Sequence, residues 1–242
     1  MTPFLSLNHW QSGTYPFRFT YGGRPSAELL SEWPVTHTVA SWSGGELHTF
    51  TWTDPDTGLT VCAEVRTFAD FSAVEWVLHF RADGTADTAI LADVQALAWA
   101  QDIAAPHDGA TLQWSRGSRC VPEDFALRQE TLCSHYTEPT RLGVTGGRSS
   151  DGDLPYFSLA VRDNEGGLGG MIIALGWTGS WAAEFSRHGD RLSARAGMKH
   201  TRLYLHPGEQ IRSPRMLVLN WAGDREAAHN QWRRLLLAHY SP

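Results

Sequence analysis

Twenty-six carboxylates and eleven histidines are the residues of this 242-residue sequence best equipped to make or break bonds. Hydrolysis of a glycosidic bond needs two carboxyl groups facing each other across it, one as nucleophile or base and one as acid. Glu64, Glu75 and Glu184 lie on alternating, strand-like segments opposite the apolar positions, and that register predicts a solvated outer face for all three. No H-E-x-x-H is present, nor a His pair beside a Cys cluster, and His37 and His48 are isolated from other ligand types. The G-x-S-x-G nucleophile elbow is missing as well. The run G-G-L-G-G at 166–170 resembles a phosphate loop only superficially, because strand-like residues follow it and no helix dipole would face an anion. Residue types and spacing therefore assign no catalytic residue, no metal ligand and no cofactor.

Aromatic residues are more suggestive. Eleven Trp exceed the ten Phe and six Tyr, and an indole face is a natural platform for the C–H surface of a sugar. Trp52, Trp76 and Trp181 stand in register with apolar strand faces and are expected in the core. Trp33, Trp42 and Trp114, beside turns or loops, are the better candidates for a ligand. Cys62, Cys120 and Cys133, odd in number and widely spaced, suit neither a disulfide framework nor a zinc site and are expected as buried free thiols.

The elements that must position these residues read as strands. A hydrophobic share of 42% against 19% charged residues describes a globular chain. The net charge of −6 arises from acids and bases scattered along the sequence, which excludes the basic stripe of a nucleic-acid partner. Neither a positively charged leader nor an apolar run of membrane-spanning length is visible, so a soluble cytoplasmic protein with no membrane partner is expected. Over 47–97 apolar residues alternate around the turns DPDTG and RADGTADT, as in an antiparallel meander with Leu59, Val61, Ala63 and Val65 on one face and Val74, Trp76, Leu78 and Phe80 on another. Periodicity fades over 98–153, where long loops, and with them a binding function, are expected. Strands resume at Gly170 and continue to Asn220. From Asp224, a ready helix cap, Ala228, Trp232, Leu235, Leu236 and His239 trace an amphipathic helix able to dock on the sandwich or on something beyond it. Such a pattern, without βαβ spacing, predicts an all-β sandwich over 1–222 and a connecting helix over 223–242, which Pro242 would end.

The ordered set GGRSSDGDLPYFSLAV, MIIALGWTGSWAAEF, RLSARAGM and LYLHPGEQIRSPRMLVLNW, closed by a helix, resembles the second half of the N-terminal domain of glycoside hydrolase family 36. Gly147, Ser149, Ser150, Pro155, Gly176, Trp177, Gly179, Trp181, Gly197, Pro207, Gly208, Glu209 and Pro214 carry that order, and PFRFTYGGRPS, TDPDTGLTVCAEV and DFSAVEWVLHF resemble the first half of α-galactosidase-like members. The resemblance implies a large antiparallel β-supersandwich of the galactose mutarotase-like type, whose C-terminal helix leads into a (β/α)₈ barrel that bears both catalytic Asp residues. That barrel, of about 250 residues, is not in this sequence. For the parent enzyme the resemblance implies retaining hydrolysis of terminal α-galactosides. The barrel and an α-galactoside or related sugar become the expected partners, with Arg148, Ser149 and Ser150 as the loop nearest the sugar and Trp33 and Tyr21 as aromatic contacts. A free-standing carbohydrate-binding sandwich is the alternative, and a homo-oligomer formed through the broad sandwich surface is a further expectation.

Overall fold

The computed structural model describes residues 4–135, 138–144 and 146–241, so the ends of the two expected segments at 1–3 and Pro242 lie outside the described residues. A one-turn helix α1 (Leu7–Gln11) precedes β1 (Arg18–Tyr21), β2 (Arg24–Pro25) and helix α2 (Ser26–Glu32). Next come β3 (Val35–Trp42), β4 (Gly45–Thr53), β5 (Leu59–Phe68), β6 (Ala73–Ala82), β7 (Leu91–Gln95), β8 (Leu97–Asp102), β9 (Ala110–Arg116) and β10 (Leu127–Leu132). The chain continues through β11 (Thr140–Gly143), β12 (Asp153–Arg162), β13 (Leu168–Gly176), β14 (Trp181–His188), β15 (Arg191–Met198), β16 (Arg202–Leu203), β17 (Gln210–Arg212) and β18 (Arg215–Ala222) to helix α3 (Arg225–His239).

These strands build three antiparallel sheets. The large one runs β10-β9-β12-β13-β18-β6-β5-β4-β3 with β17 added beside β6, and two four-stranded sheets run β11-β14-β15-β8 and β16-β7-β1-β2. Alternation puts one set of side chains between the layers. Phe157 of β12 meets Trp181 and Phe185 of β14 at ring distances of 5.6 and 5.2 Å, and Phe19 of β1 meets Phe80 of β6 edge-on at 5.2 Å. The expected inward faces of β5 and β6 are buried in this cluster.

Helix α3 covers the other face of the large sheet. Asp224 caps it by accepting from the amides of Glu226 and Ala227 at 3.2 and 3.1 Å. Its Ala228, Trp232 and Leu235 pack with Phe68, Ile172, Leu217, Leu219 and Trp221 in a second cluster. Burial on both faces explains the near-continuous apolar runs MIIALG and MLVLNW on β13 and β18.

Several expectations are corrected here. The segment 90–97 does not continue the meander: β7 pairs with β1 and β16 from Leu91 onward, Asp93 within it takes a left-handed backbone angle (φ 52), and β8 joins β15. In the stretch 98–153 the apolar piece Thr111 to Trp114, which could form a strand, lies in β9, whereas β10 and β11 occupy ground expected as loops. Helices α1 and α2 were not foreseen, being too short to display a 3.6-residue period. Glu75 is on the outer face as expected but is only 3% exposed, because α3 overlies it; Arg66 and Arg215 flank it at 3.6 and 3.4 Å, and the Tyr240 hydroxyl donates to it. Among the described residues no helix is long and apolar enough to cross a membrane.

Candidate functional site

Two loops that project from neighbouring strands form one unit. The loop 146–152 enters β12, and the loop 117–126 joins β9 to β10. Their backbones are laced together by Gly117 N–H to Gly152 O at 2.8 Å and Ser118 N–H to Ser150 O at 2.7 Å, and Arg119 Nε donates to the carbonyl of Asp151 at 2.7 Å. Such proximity requires glycine: a Cβ on Gly117 would stand 1.9 Å from the Ser150 oxygen, and one on Gly152 would stand 2.2 Å from the oxygen of Gly143.

Within the first loop the Trp181 indole N–H donates to the Ser149 carbonyl at 2.8 Å, the Ser180 hydroxyl to the Gly146 carbonyl at 3.2 Å, and the Gly146 amide to the Asp151 carboxylate at 3.2 Å. The loop is thus held by its main chain. Arg148 is exposed, and Ser149 and Ser150 are half-buried. A guanidinium fork and two hydroxyls presented from a fixed backbone can hold sugar hydroxyls or a carboxylate.

The second loop is organised by Asp124. Its carboxylate accepts from the Ser118 hydroxyl and from the amides of Arg119, Cys120 and Val121 at 2.8–3.3 Å. These donors, the Arg119 amide foremost, hold its carboxyl below the usual aspartate range. Cys120 and Phe125 adopt left-handed backbone angles (φ 64 and 62), a strained conformation for non-glycine residues that marks ligand and partner sites more often than ordinary loops. The result is an apolar tip: Phe125 and Leu127 are 61% and 66% exposed, with Val121 beside them. Both loops fall in the stretch 98–153, where fading periodicity points to binding loops, but Asp124 and Phe125 belong to no recognisable motif.

Three carboxylates of this unit are engaged by donors. Asp124 and Asp151 cap main-chain amides, and Asp153 accepts from the Trp114 indole at 3.2 Å and the Gly143 amide at 3.1 Å. A separate cavity of about 410 Å³ between α2 and β1, lined by Tyr15, Phe17, Arg18 and Leu30, contains no carboxylate. Two carboxylates facing across open space are what glycoside hydrolysis would need.

The aromatic candidates have other places. Tyr21 and Trp33 are brought together, edge to face at 6.0 Å, but in the core, where they are 4% and 6% exposed. Tyr21 shares its hydroxyl with Thr57 at 2.7 Å and accepts from the Ala89 amide at 3.1 Å, residues that do not touch the Arg148 loop. Trp42 is covered by Arg66 and by His239 of α3, and Trp114 is half-buried. Nor are His37 and His48 isolated: their rings are hydrogen-bonded at 3.1 Å, and His37 lies flat on Phe50 at 4.2 Å because β3 and β4 place them side by side. The cysteines are free, but Cys120 is exposed and Cys62 and Cys133 are half-buried, so the expectation of buried thiols is corrected.

No protein-family model and no curated protein sequence matches this chain. Solved structures do. A glycoside hydrolase family 36 α-galactosidase, AgaA from Geobacillus stearothermophilus, superposes with a TM-score of 0.61 at 13% identity over 85% of this chain and 30% of its own. The α-galactosidase from Lactobacillus brevis gives 0.60 at 13% identity over 86% and 29%, and the galactosidase domain of an α-galactosidase-sucrose kinase gives 0.59 at 12% identity over 86% and 30%. This chain therefore shares a fold with one part of those proteins and spans about three tenths of their length.

Proposed function

We propose that this chain is the non-catalytic β-supersandwich domain of an α-galactosidase-like glycoside hydrolase, that it packs on a catalytic (β/α)₈ barrel, and that its Arg148 loop reaches the barrel's sugar pocket. In this reading residues 1–222 are the domain, 223–242 connect it to the barrel, and the acids that perform retaining hydrolysis of an α-galactoside belong to the barrel. One observation carries the proposal: the fold agrees with family 36 α-galactosidases over 85% of this chain while leaving 70% of the enzyme unmatched. Support comes from the loop unit, where one loop exposes Arg148 and the loop laced to it leads to an exposed apolar tip at Phe125 and Leu127. A barrel would remove that tip from water and give Arg148 an acidic or hydroxylated partner.

The alternative of a free-standing carbohydrate-binding module needs an indole face open to solvent. Eight of the eleven Trp are buried and three half-buried, which weighs against it.

With the chain joined to its barrel, Arg148→Ala is expected to lower kcat/KM about tenfold or more, the size of one lost hydrogen bond to a charged group. The melting temperature should hold, since the hydrogen bonds that fix the loop use main-chain groups and the side chains of Trp181, Ser180 and Asp151, and the substitution keeps the Arg148 carbonyl that accepts from the Asp151 amide. An unchanged kcat/KM removes the loop from the sugar site.

A further inference from the structure

Alternation along β15 sends Leu192, Ala194 and Ala196 inward and turns Arg191, Ser193 and Arg195 out on the opposite face. Across the ladder Ser193 and Arg195 stand beside Ala100 and Ala98 of β8, whose short side chains leave a low floor between the guanidinium stems. The Ala98 amide donates to the Pro16 carbonyl at 2.8 Å, which brings the entry to β1 alongside β8. Phe17 and Phe19 are buried, so Arg18 between them faces out over the same floor. Strand pairing thus gathers on one surface charges that are far apart in the sequence.

These residues line a cavity of about 140 Å³ that contains the guanidinium groups of Arg18, Arg191 and Arg195 and no carboxylate. Asp102, outside the lining, engages Arg191 at 3.2 Å. Among the described residues Arg18 and Arg195 have no ion-paired or hydrogen-bonded partner, and Asp93, which lines a neighbouring cavity with both, bonds to neither. Like charges gathered without a counter-ion repel, and a bound anion removes that cost. His9 joins the wall as a neutral donor: its Nδ1 accepts from the Ser6 amide at 3.3 Å, which leaves its proton on Nε2, and burial lowers its pKa. The cavity of about 410 Å³ beside α2 abuts this one, sharing Thr14, Tyr15 and Arg18, and apart from Arg18 its lining is uncharged.

We propose that the two cavities form a binding site for a phosphate monoester of sugar size, with the phosphoryl group between Arg18 and Arg195 and the neutral body in the cavity beside α2. Charge selects the phosphoryl group. Two guanidinium groups without a carboxylate match a group that carries close to two negative charges at neutral pH, where a carboxylate carries one. The adjoining cavity combines the hydroxyls of Thr14 and Ser31 with the Tyr15 ring, a lining suited to a polyol. No residue of the Arg148 loop takes part, so this site goes beyond the function proposed above and does not depend on it.

The test is isothermal titration calorimetry of the 242-residue chain with glucose 6-phosphate, against glucose, glucuronate and inorganic phosphate. Glucose 6-phosphate is expected to bind saturably, glucose to give no binding heat at about 10 mM, and glucuronate and inorganic phosphate to bind about tenfold more weakly or worse. Arg18→Gln and Arg195→Gln should each weaken glucose 6-phosphate about tenfold, the size of one lost hydrogen bond to a charged group, and added salt should weaken it as well. Both substitutions alter exposed side chains, so the melting temperature is expected to hold, and if one variant misfolds the other decides. Absence of saturable binding of glucose 6-phosphate overturns the proposal, and so does wild-type affinity in the folded variants. Inorganic phosphate bound as tightly as the ester would mean an adventitious ion only, and glucuronate bound as tightly would mean a carboxylate site; either result also overturns it. The glycosidase reading survives all of these outcomes, since it rests on the fold.

Discussion

Arg187 is 1% exposed, a charge deeper in the fold than any other basic residue among those described. Its guanidinium donates to the carbonyls of Ala105, Pro106 and Gly189 at 2.9, 2.8 and 3.0 Å and more weakly to His107 at 3.3 Å, so main-chain dipoles replace the water it has lost. Replacing it with methionine of similar length strands those carbonyls. Arg187→Met should destabilise the chain by about 3 kcal/mol, read as a lower urea midpoint with an unchanged slope. A midpoint within error of the wild type would show that the carbonyls find other donors. The sequence hints at the inward position, because Trp181, Ala183, Phe185 and Arg187 share one strand face. It gives no hint of the three partners at Ala105, Pro106 and His107, which come from a loop about eighty residues earlier. The same limit applies at the candidate site. Arg148, Ser149 and Ser150 were legible as a loop, but the lacing to Gly117 and Ser118 and the role of Asp124 depend on contacts between segments far apart in the chain.

Helix α3 shows what an element's pattern can and does not convey. Its cap at Asp224 and its stripe at Ala228, Trp232 and Leu235 were readable from spacing alone. The surface it covers was not, since an apolar outer face reads only as a longer apolar run and Glu75 as one more solvated acid. Docking takes two phenols out of water to different degrees. Tyr156, half-buried and bonded to His229 at 2.7 Å, is pushed by burial up to about 12, and Tyr240, which keeps 39% of its surface exposed while its hydroxyl donates to Glu75, is raised by desolvation and by the Glu75 charge. Both folded values lie above the ordinary 10.0 of an unfolded tyrosine. Their contribution to stability is complete below pH 10 and is lost as pH rises through the folded values, because only the unfolded chain releases the protons in that window. Ultraviolet titration should find Tyr156 and Tyr240 ionising late, together with Tyr15, whose phenol burial also raises, and the double variant Tyr156→Phe, Tyr240→Phe should flatten the loss of stability between pH 10 and 12. Six phenols titrating together in folded protein would contradict the docking described.

At the scale of the whole molecule, alternation was enough to read a large antiparallel sandwich, because each strand's pattern is local. Sheet order was not readable. β6 pairs with β18 and β9 with β12, across connections of many residues, and β7 departs into a third sheet beside β1 and β16. What emerges is a broad, well-packed platform whose Asp124, Asp151 and Asp153 are engaged by main-chain, hydroxyl and indole donors, and whose fold is shared with one part of a larger enzyme. The most direct measurement is the turnover of an aryl α-galactoside by the purified 242-residue chain alone. The account predicts no release of phenol above the uncatalysed rate at any pH where the chain stays folded. Hydrolysis at an enzymatic rate that co-purifies with the chain would contradict it.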